Sequence, residues 1–267
     1  MAQTVNKAHG LDISKYQLSF SQALNPPRPI QYITQRSGYA KKSDEKFIEF
    51  LPAMRESQDD FGTIIGQYHY YSTGVDVNEQ IKFLQSQIAV AKSEGVNVRY
   101  LWWDYEKYYN NLNRNSYNDL VYAMDKIPGE TGLKTFMYCN QDIWNTALEP
   151  FGTAHRKMPF AYAAYYWYPT PNREPVLPKN CDHYDWWQYE ITGKYSVIST
   201  AGKGQDYGSG HANLDLSIYN GTLEKMYTDL GIEEEQPTPP PNDNLVEIDQ
   251  LAEQISDLAT QIRTLTK

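Results

Sequence analysis

At 267 residues with 40% hydrophobic content, the chain can bury a substantial core, which excludes global disorder and leaves room for one large domain or two small ones. Its net charge of −9 argues against nucleic acid as the main partner, and −6 of that balance falls from Ile232 onward, so the body is close to neutral. No stretch approaches ~18 apolar residues and Met1 to Lys7 carries no apolar run, so neither a membrane span nor a secretory signal is expected.

In chain order, His9 to Gln17 reads as a short strand ending in a polar loop, with Asp12 within or at the end of the strand. On local grounds alone, Asp12 suits a cap or turn. Ile30 to Arg36 is a second strand, broken by Ser37-Gly38-Tyr39. Asp44 to Gln58 is helical, with Phe47, Phe50, Leu51 and Met54 on one side. Thr63 to Tyr71 is a third strand. Asn78 to Lys92 is the clearest helix, because Ile81, Leu84, Ile88 and Ala91 recur at steps of 3, 4 and 3.

Val98 to Glu106 is a fourth strand, introduced by Glu94-Gly95. A helix follows over Ser116 to Ile127 and ends at Pro128-Gly129. Thr135 to Cys139 is a fifth strand, Gln141 to Leu148 a short helix, and Phe160 to Tyr166 a sixth strand. Trp186 to Tyr189 and Asn213 to Ile218 complete eight, with Asn220-Gly221 closing the last. Strand and helix alternate through the first half, which points to parallel strands and barrel closure. The second half is strand-rich with fewer helices, a departure from a regular eightfold barrel. Cys139 and Cys181 make no disulfide framework and read as small buried hydrophobes.

Chemistry concentrates on the fourth strand. Side chains alternate along a strand, so Asp104 and Glu106 point the same way, with Trp102 on their face. Two carboxyls at the end of an apolar strand repel each other's charge, and at least one pKa should rise. An acid still protonated near neutrality is what cleavage of a glycosidic bond requires. By itself Asp-x-Glu also suits a metal ligand pair or a strand end reaching solvent. The aromatic content of 14%, with 23 Tyr and 6 Trp, suits sugar rings and equally suits a barrel core. No His-x-x-x-His or dense carboxylate spacing suggests a metal, and no metal or cofactor is expected.

The order of these pieces resembles glycoside hydrolase family 25, the Chalaropsis-type lysozymes common among phage lysins. The matching segments are Leu11-Asp12-Ile13-Ser14, Gly66-Gln67-Tyr68-His69-Tyr70, Asp104-Tyr105-Glu106, Phe136-Met137-Tyr138, Trp187-Gln188-Tyr189 and Leu214-Asp215-Leu216, across roughly residues 8 to 225. The resemblance implies an irregular TIM-like (β/α)5β3 barrel with its site at the strand C-terminal ends. It also implies a lysozyme (N-acetylmuramidase) that hydrolyses β-1,4 bonds between N-acetylmuramic acid and N-acetylglucosamine in bacterial peptidoglycan. Glu106 would be the general acid and Asp104 would assist, acting on the N-acetyl group of muramic acid or on the intermediate. Asp12 and Asp215 would lie at the cleft floor, Tyr68, Tyr138 and Trp187 would wall the sugar, and His69 would lie close by. The bland reading of His69 is a satisfied histidine on an aromatic strand.

Two departures from the family pattern stand out. Arg36-Ser37-Gly38-Tyr39 replaces a small-acidic-Gly run, and Gly193 to Gly210, with Tyr195 and Tyr207, is a longer Gly-rich stretch. A non-catalytic glycan-binding module on the same barrel is the alternative reading. A chitinase-like hydrolase is less favoured, because Leu101, Trp102 and Tyr105 interrupt that family's acidic run.

Three segments are expected: a catalytic barrel over 1–231, an acidic Pro-rich linker over 232–244, and a C-terminal coiled-coil helix over 245–267. In the last, Ile248, Ile255 and Ile262 take the a positions and Leu251, Leu258 and Leu265 the d positions, the pattern of two parallel strands, while Ala252 and Ala259 at e could permit a larger bundle. A homo-oligomer through 245–267 is therefore expected. Without a signal, the protein would be made in a host cytoplasm and reach the cell wall by holin-dependent release or on a virion.

Overall fold

The structure is a computed structural model that describes residues 7–20, 30–107, 111–164, 174–190 and 214–233. The Gly193–Gly210 stretch, most of the Pro-rich segment and the heptad region lie outside the described residues, as do Tyr165 and Tyr166 of the sixth expected strand. The chain divides into two units at Leu230 and Gly231.

Eight strands close a barrel: β1 (His9–Ile13), β2 (Tyr32–Tyr39), β4 (Ile64–Tyr70), β5 (Val98–Asp104), β6 (Lys134–Asn140), β7 (Phe160–Ala163), β8 (Trp186–Glu190) and β9 (Asp215–Tyr219). They pair in parallel from β1 through β8, and β9 closes the ring antiparallel to both β8 and β1. A two-residue strand, β3 (Lys42–Ser43), folds back on β2 outside the ring. Around this mixed α/β barrel stand α1 (Phe47–Phe61), α2 (Val77–Ser93), α3 (Arg114–Thr131), α4 (Gln141–Ile143) running into a π-helical turn at Trp144–Leu148, and α5 (Leu223–Leu230).

Alternation along the strands divides the side chains between two cores. Outward residues such as Leu11, Ile33, Ile65, Leu101, Met137 and Leu216 pack with the buried faces of α1 to α3. Inward residues Tyr32, Tyr100, Phe136, Trp186 and Tyr219 fill the barrel with rings in contact, Phe136 and Trp186 edge-to-face at 4.2 Å and Tyr100 stacked on Trp186 at 4.9 Å. Gly66 makes room for that filling, since a Cβ there would lie 2.2 Å from the Tyr100 ring.

Several boundaries differ from the sequence reading, among them the end of β5, which stops at Asp104 and leaves Glu106 beyond the strand. β2 runs on through Ser37-Gly38-Tyr39, because a bulge between Arg36 and Gly38 absorbs the break and the strand turns into the β3 hairpin. α1 starts at Phe47 and not at Asp44, whose carboxylate accepts from Arg36 Nε at 2.6 Å and from the Lys46 amide at 3.0 Å. α3 continues past Pro128-Gly129 to Thr131. A proline in the last turn costs one donor there, and Thr131 Oγ1 and the Gly132 amide take the carbonyls of Ile127 and Pro128. The helix α5 had no counterpart in the sequence reading. Cys139 is buried, Cys181 is partly so, and both are free thiols.

Candidate active site

A cleft of about 470 Å³ opens at the C-terminal ends of the parallel strands. Asp104 is the last residue of β5 and Asp12 the penultimate residue of β1. Asp215 begins β9, and because β9 runs the other way its first residue reaches the same rim, directly paired with Asp12. Glu106 follows two residues after Asp104, where the backbone is still tied to β6 by the Tyr105 amide on the Tyr138 carbonyl at 2.9 Å. All four carboxyls line the cleft.

Their environment holds protons. Burial, then the charge of Glu106, pushes Asp104 well above the ordinary carboxylate range. Asp104 is 6% exposed, and its Oδ1 is buried without a hydrogen-bond partner among the described residues. Burial also raises Glu106, which is less enclosed than Asp104. Asp12 is lifted to about 7, mainly by burial, against the pull of Gln188, Asp215 and Arg36. Burial and the neighbouring Asp12 also raise Asp215 well above the ordinary carboxylate range. The two carboxyls are hydrogen-bonded to each other, which requires one proton between them. Asp12 already accepts from Gln188 Nε2 at 2.7 Å, so Asp215 is the partner that keeps that proton.

Gln188 is itself oriented by the Tyr138 hydroxyl, which donates to its Oε1 at 2.7 Å. Tyr138 lies flat against Trp102, with ring centroids 5.8 Å apart at 11°. Tyr68 and Tyr70 line the cleft from β4. Arg36, inward on β2, is the cation among the carboxyls. Its Nε and Nη2 hold Asp44 at 2.6 and 2.5 Å, and its guanidinium lies over the Tyr16 ring at 5.3 Å.

Six of the eight predicted site residues thus share one cleft: Asp12, Tyr68, Asp104, Glu106, Tyr138 and Asp215. His69 and Trp187 do not. Both point outward, one position out of phase with the cleft. His69 stacks on Trp103 at 5.0 Å, with Nε2 3.5 Å from Gln80 of α2, and burial lowers its pKa to about 4 and keeps it neutral. Trp187 is fully buried beneath the outer layer and donates from Nε1 to the Ala164 carbonyl at 2.8 Å. Their inward neighbours Tyr68, Tyr70 and Gln188 take the cleft positions. Arg36, Gln188 and Tyr16 are the site residues that sequence reasoning missed. The Arg36-Ser37-Gly38 departure was the signal for the first. Among the described residues, no group of three His, Cys, Asp or Glu side chains is placed to hold a metal ion.

Residues 11–198 match the family described as glycosyl hydrolases family 25. The chain belongs to that family. As a family 25 enzyme it is a glycoside hydrolase. Asp215 lies beyond the matched segment and joins the site only through the pairing of β9 with β1.

Several solved structures share the fold at low identity. The catalytic domain of endolysin ply40 from bacteriophage P40 of Listeria monocytogenes is 22% identical, with a TM-score of 0.61 over 85% of this chain and 98% of that one. A muramidase from Acremonium alcalophilum is 16% identical, with a TM-score of 0.61 over 85% and 99%. A family 25 glycosyl hydrolase from Bacillus anthracis is 14% identical, with a TM-score of 0.62 over 84% and 93%. No curated protein sequence matches the chain. Among the described residues no helix is long and apolar enough to cross a membrane.

Proposed function

We propose that this glycoside hydrolase is an N-acetylmuramidase that cuts the β-1,4 bond between N-acetylmuramic acid and N-acetylglucosamine in bacterial peptidoglycan. The observation that carries the reading is the pairing of Asp104 and Glu106 in one cleft, both pushed toward the protonated form, beside the flat Trp102–Tyr138 stack. Structurally similar proteins named as an endolysin, a lysozyme and a muramidase support the substrate class.

Asp104 and Glu106 titrate as a pair, so a proton stays in the site past the pH at which a free carboxyl loses its own. Glu106 stands nearer the mouth and delivers that proton to the leaving glycosidic oxygen as the C–O bond breaks. Asp104 offers its unpartnered Oδ1 as an acceptor to the 2-acetamido N–H of the muramoyl unit, a role that its protonated form keeps. Asp12 and Asp215 form the floor, with Gln188 and Tyr138 fixing Asp12. Tyr68, Trp102 and Tyr138 supply the apolar faces.

Release of reducing ends from purified peptidoglycan tests this. Wild type should release muramic acid ends, and Glu106→Gln should be slower by about two decades or more. Sedimentation of both proteins with the wall, without cleavage by either, would convert the reading to a glycan-binding module. The heptads of 245–267 support self-association, which would let a weakly binding domain hold an insoluble wall. Sedimentation of the full chain beside one ending at Gly231 checks it, and the same association state for both would refute it.

A further inference from the structure

The cleft does not end at the carboxyls. It continues between the turn after β1 and the β2–β3 hairpin as an arm whose lining includes Tyr16, Arg36, Tyr39 and Lys42. Arg36 stands at the junction, 13% exposed, with Asp44 occupying Nε and Nη2 and Tyr16 beneath the guanidinium. Among the described residues its Nη1 has no hydrogen-bond partner.

The lysines around the arm differ in the same way. Lys15 pairs with Glu45 at 2.8 Å, Lys41 with Glu79 at 2.7 Å and Lys46 with Glu49 at 2.5 Å. Lys42 has no ion pair among the described residues, and it lines the cleft from β3. Its position is built into the hairpin. A Cβ on Gly38 would lie 2.3 Å from the Lys42 carbonyl and 2.7 Å from the Phe83 ring, so only glycine lets β3 lie this close over the strand.

We propose that this arm is a subsite for a carboxylate on the peptide stem of the substrate, with Arg36 Nη1 and Lys42 Nζ as its donors and Tyr16 and Tyr39 as its walls. It rests on the peptidoglycan reading above. Where the lactyl carboxyl of muramic acid is tied up in amide linkage, the glycan is neutral and the negative charge belongs to the peptide. Lys15 is paired with Glu45 and Arg36 with Asp44, so of the three cations that line the arm Lys42 is left without an ion pair among the described residues. The four floor carboxyls would repel an anion if all were ionised, and burial keeps protons among them.

The test compares teichoic-acid-free peptidoglycan with the same material after its peptide carboxylates have been converted to methylamides. Wild type should lose roughly fivefold in kcat/KM on the amidated wall, mainly through KM. Lys42→Gln should show that loss on the native wall and converge with wild type on the amidated one, and Lys42→Arg should recover the native preference. Salt should erode the wild-type preference, because an exposed ion pair is screened. Equal hydrolysis of both walls by wild type, or a preference that survives Lys42→Gln, would overturn the subsite and leave the muramidase reading standing. No reducing ends from either wall would overturn both.

Discussion

The barrel interior has two halves built on the same strands, and they obey opposite rules. Toward the bottom the inward positions are Tyr32, Tyr100, Phe136, Trp186 and Tyr219. Their rings touch, and the hydroxyls of Tyr32 and Tyr100 are satisfied by Ser217 at 3.0 Å and Thr34 at 2.6 Å. Two to four residues further toward the rim, the inward positions become Arg36, Asp104, Tyr138, Gln188 and Asp215. There, buried carboxyls crowd together; each half keeps a buried atom without a partner among the described residues, the Trp186 indole nitrogen below and Asp104 Oδ1 above. One half is filled for stability. The other gathers carboxyls whose ionisation burial opposes, which costs the fold stability.

Substitutions on either side of that divide should separate stability from activity. Trp186→Ala, in the ring cluster, should cost about 3–5 kcal/mol in chemical denaturation, because the surrounding rings cannot collapse into the space. Glu106→Gln should not lower the thermal midpoint, because the amide removes a carboxyl whose ionisation burial opposes, while it slows hydrolysis by about two decades or more, equivalent to about 2.7 kcal/mol or more at the transition state. A Trp186→Ala protein of wild-type stability would contradict the account of the lower half.

Half of this contrast was legible in the sequence. Eight strands, the Asp104/Glu106 face and the carboxyls at Asp12 and Asp215 follow from alternation and from the order of the matching segments. The phase of β4 and β8 was not legible. Tyr68-His69-Tyr70 and Trp186-Trp187-Gln188 are apolar or aromatic on both faces, because a barrel strand is buried on both sides, so pattern alone does not say which residue faces the cleft. His69 and Trp187 were misplaced for that reason. Arg36 was hidden differently. Alternation from Tyr32 and Thr34 puts it inward, but a buried cation there needs a partner, and Asp44, eight residues away, supplies it by staying out of α1.

Asp104→Asn sharpens the upper half of the comparison. Asp104 is raised in the folded state, so below the unfolded carboxylate pKa both states are protonated and it contributes no penalty. As pH rises above about 4 the unfolded chain ionises and the folded one does not, and stability is lost with each further unit until the folded group also ionises. The variant removes that loss. Its gain in stability should therefore be absent near pH 4 and grow as pH rises until the folded carboxyl ionises, at no more than about 1.4 kcal/mol per pH unit. Urea denaturation of both proteins across that range would show it, and a gain independent of pH would mean that burial of Asp104 is not what costs the fold. Hydrolysis by the variant should fall throughout.

The smallest effect belongs to Arg36. Its cation faces Asp12 and Asp104 from β2, within a site that also holds Glu106, Asp215, Tyr68, Tyr16 and Asp44, and it lowers the pKa of both aspartates. Replacing Arg36 alone would strand Asp44, so the informative variant is Arg36→Gln with Asp44→Asn, which removes the ion pair as a unit. Withdrawing the cation makes each floor carboxyl hold its proton more tightly. The acid limb, where a carboxylate must ionise, and the alkaline limb, where the acid must stay protonated, should both move to higher pH. With Asp44 already screening the guanidinium, the displacement should be a few tenths of a pH unit, below the one to three units of a direct contact. A merely structural role would lower kcat/KM at every pH without moving either limb. That result would leave burial as the dominant control of protons in the cleft and confine Arg36 to shaping the arm beside it.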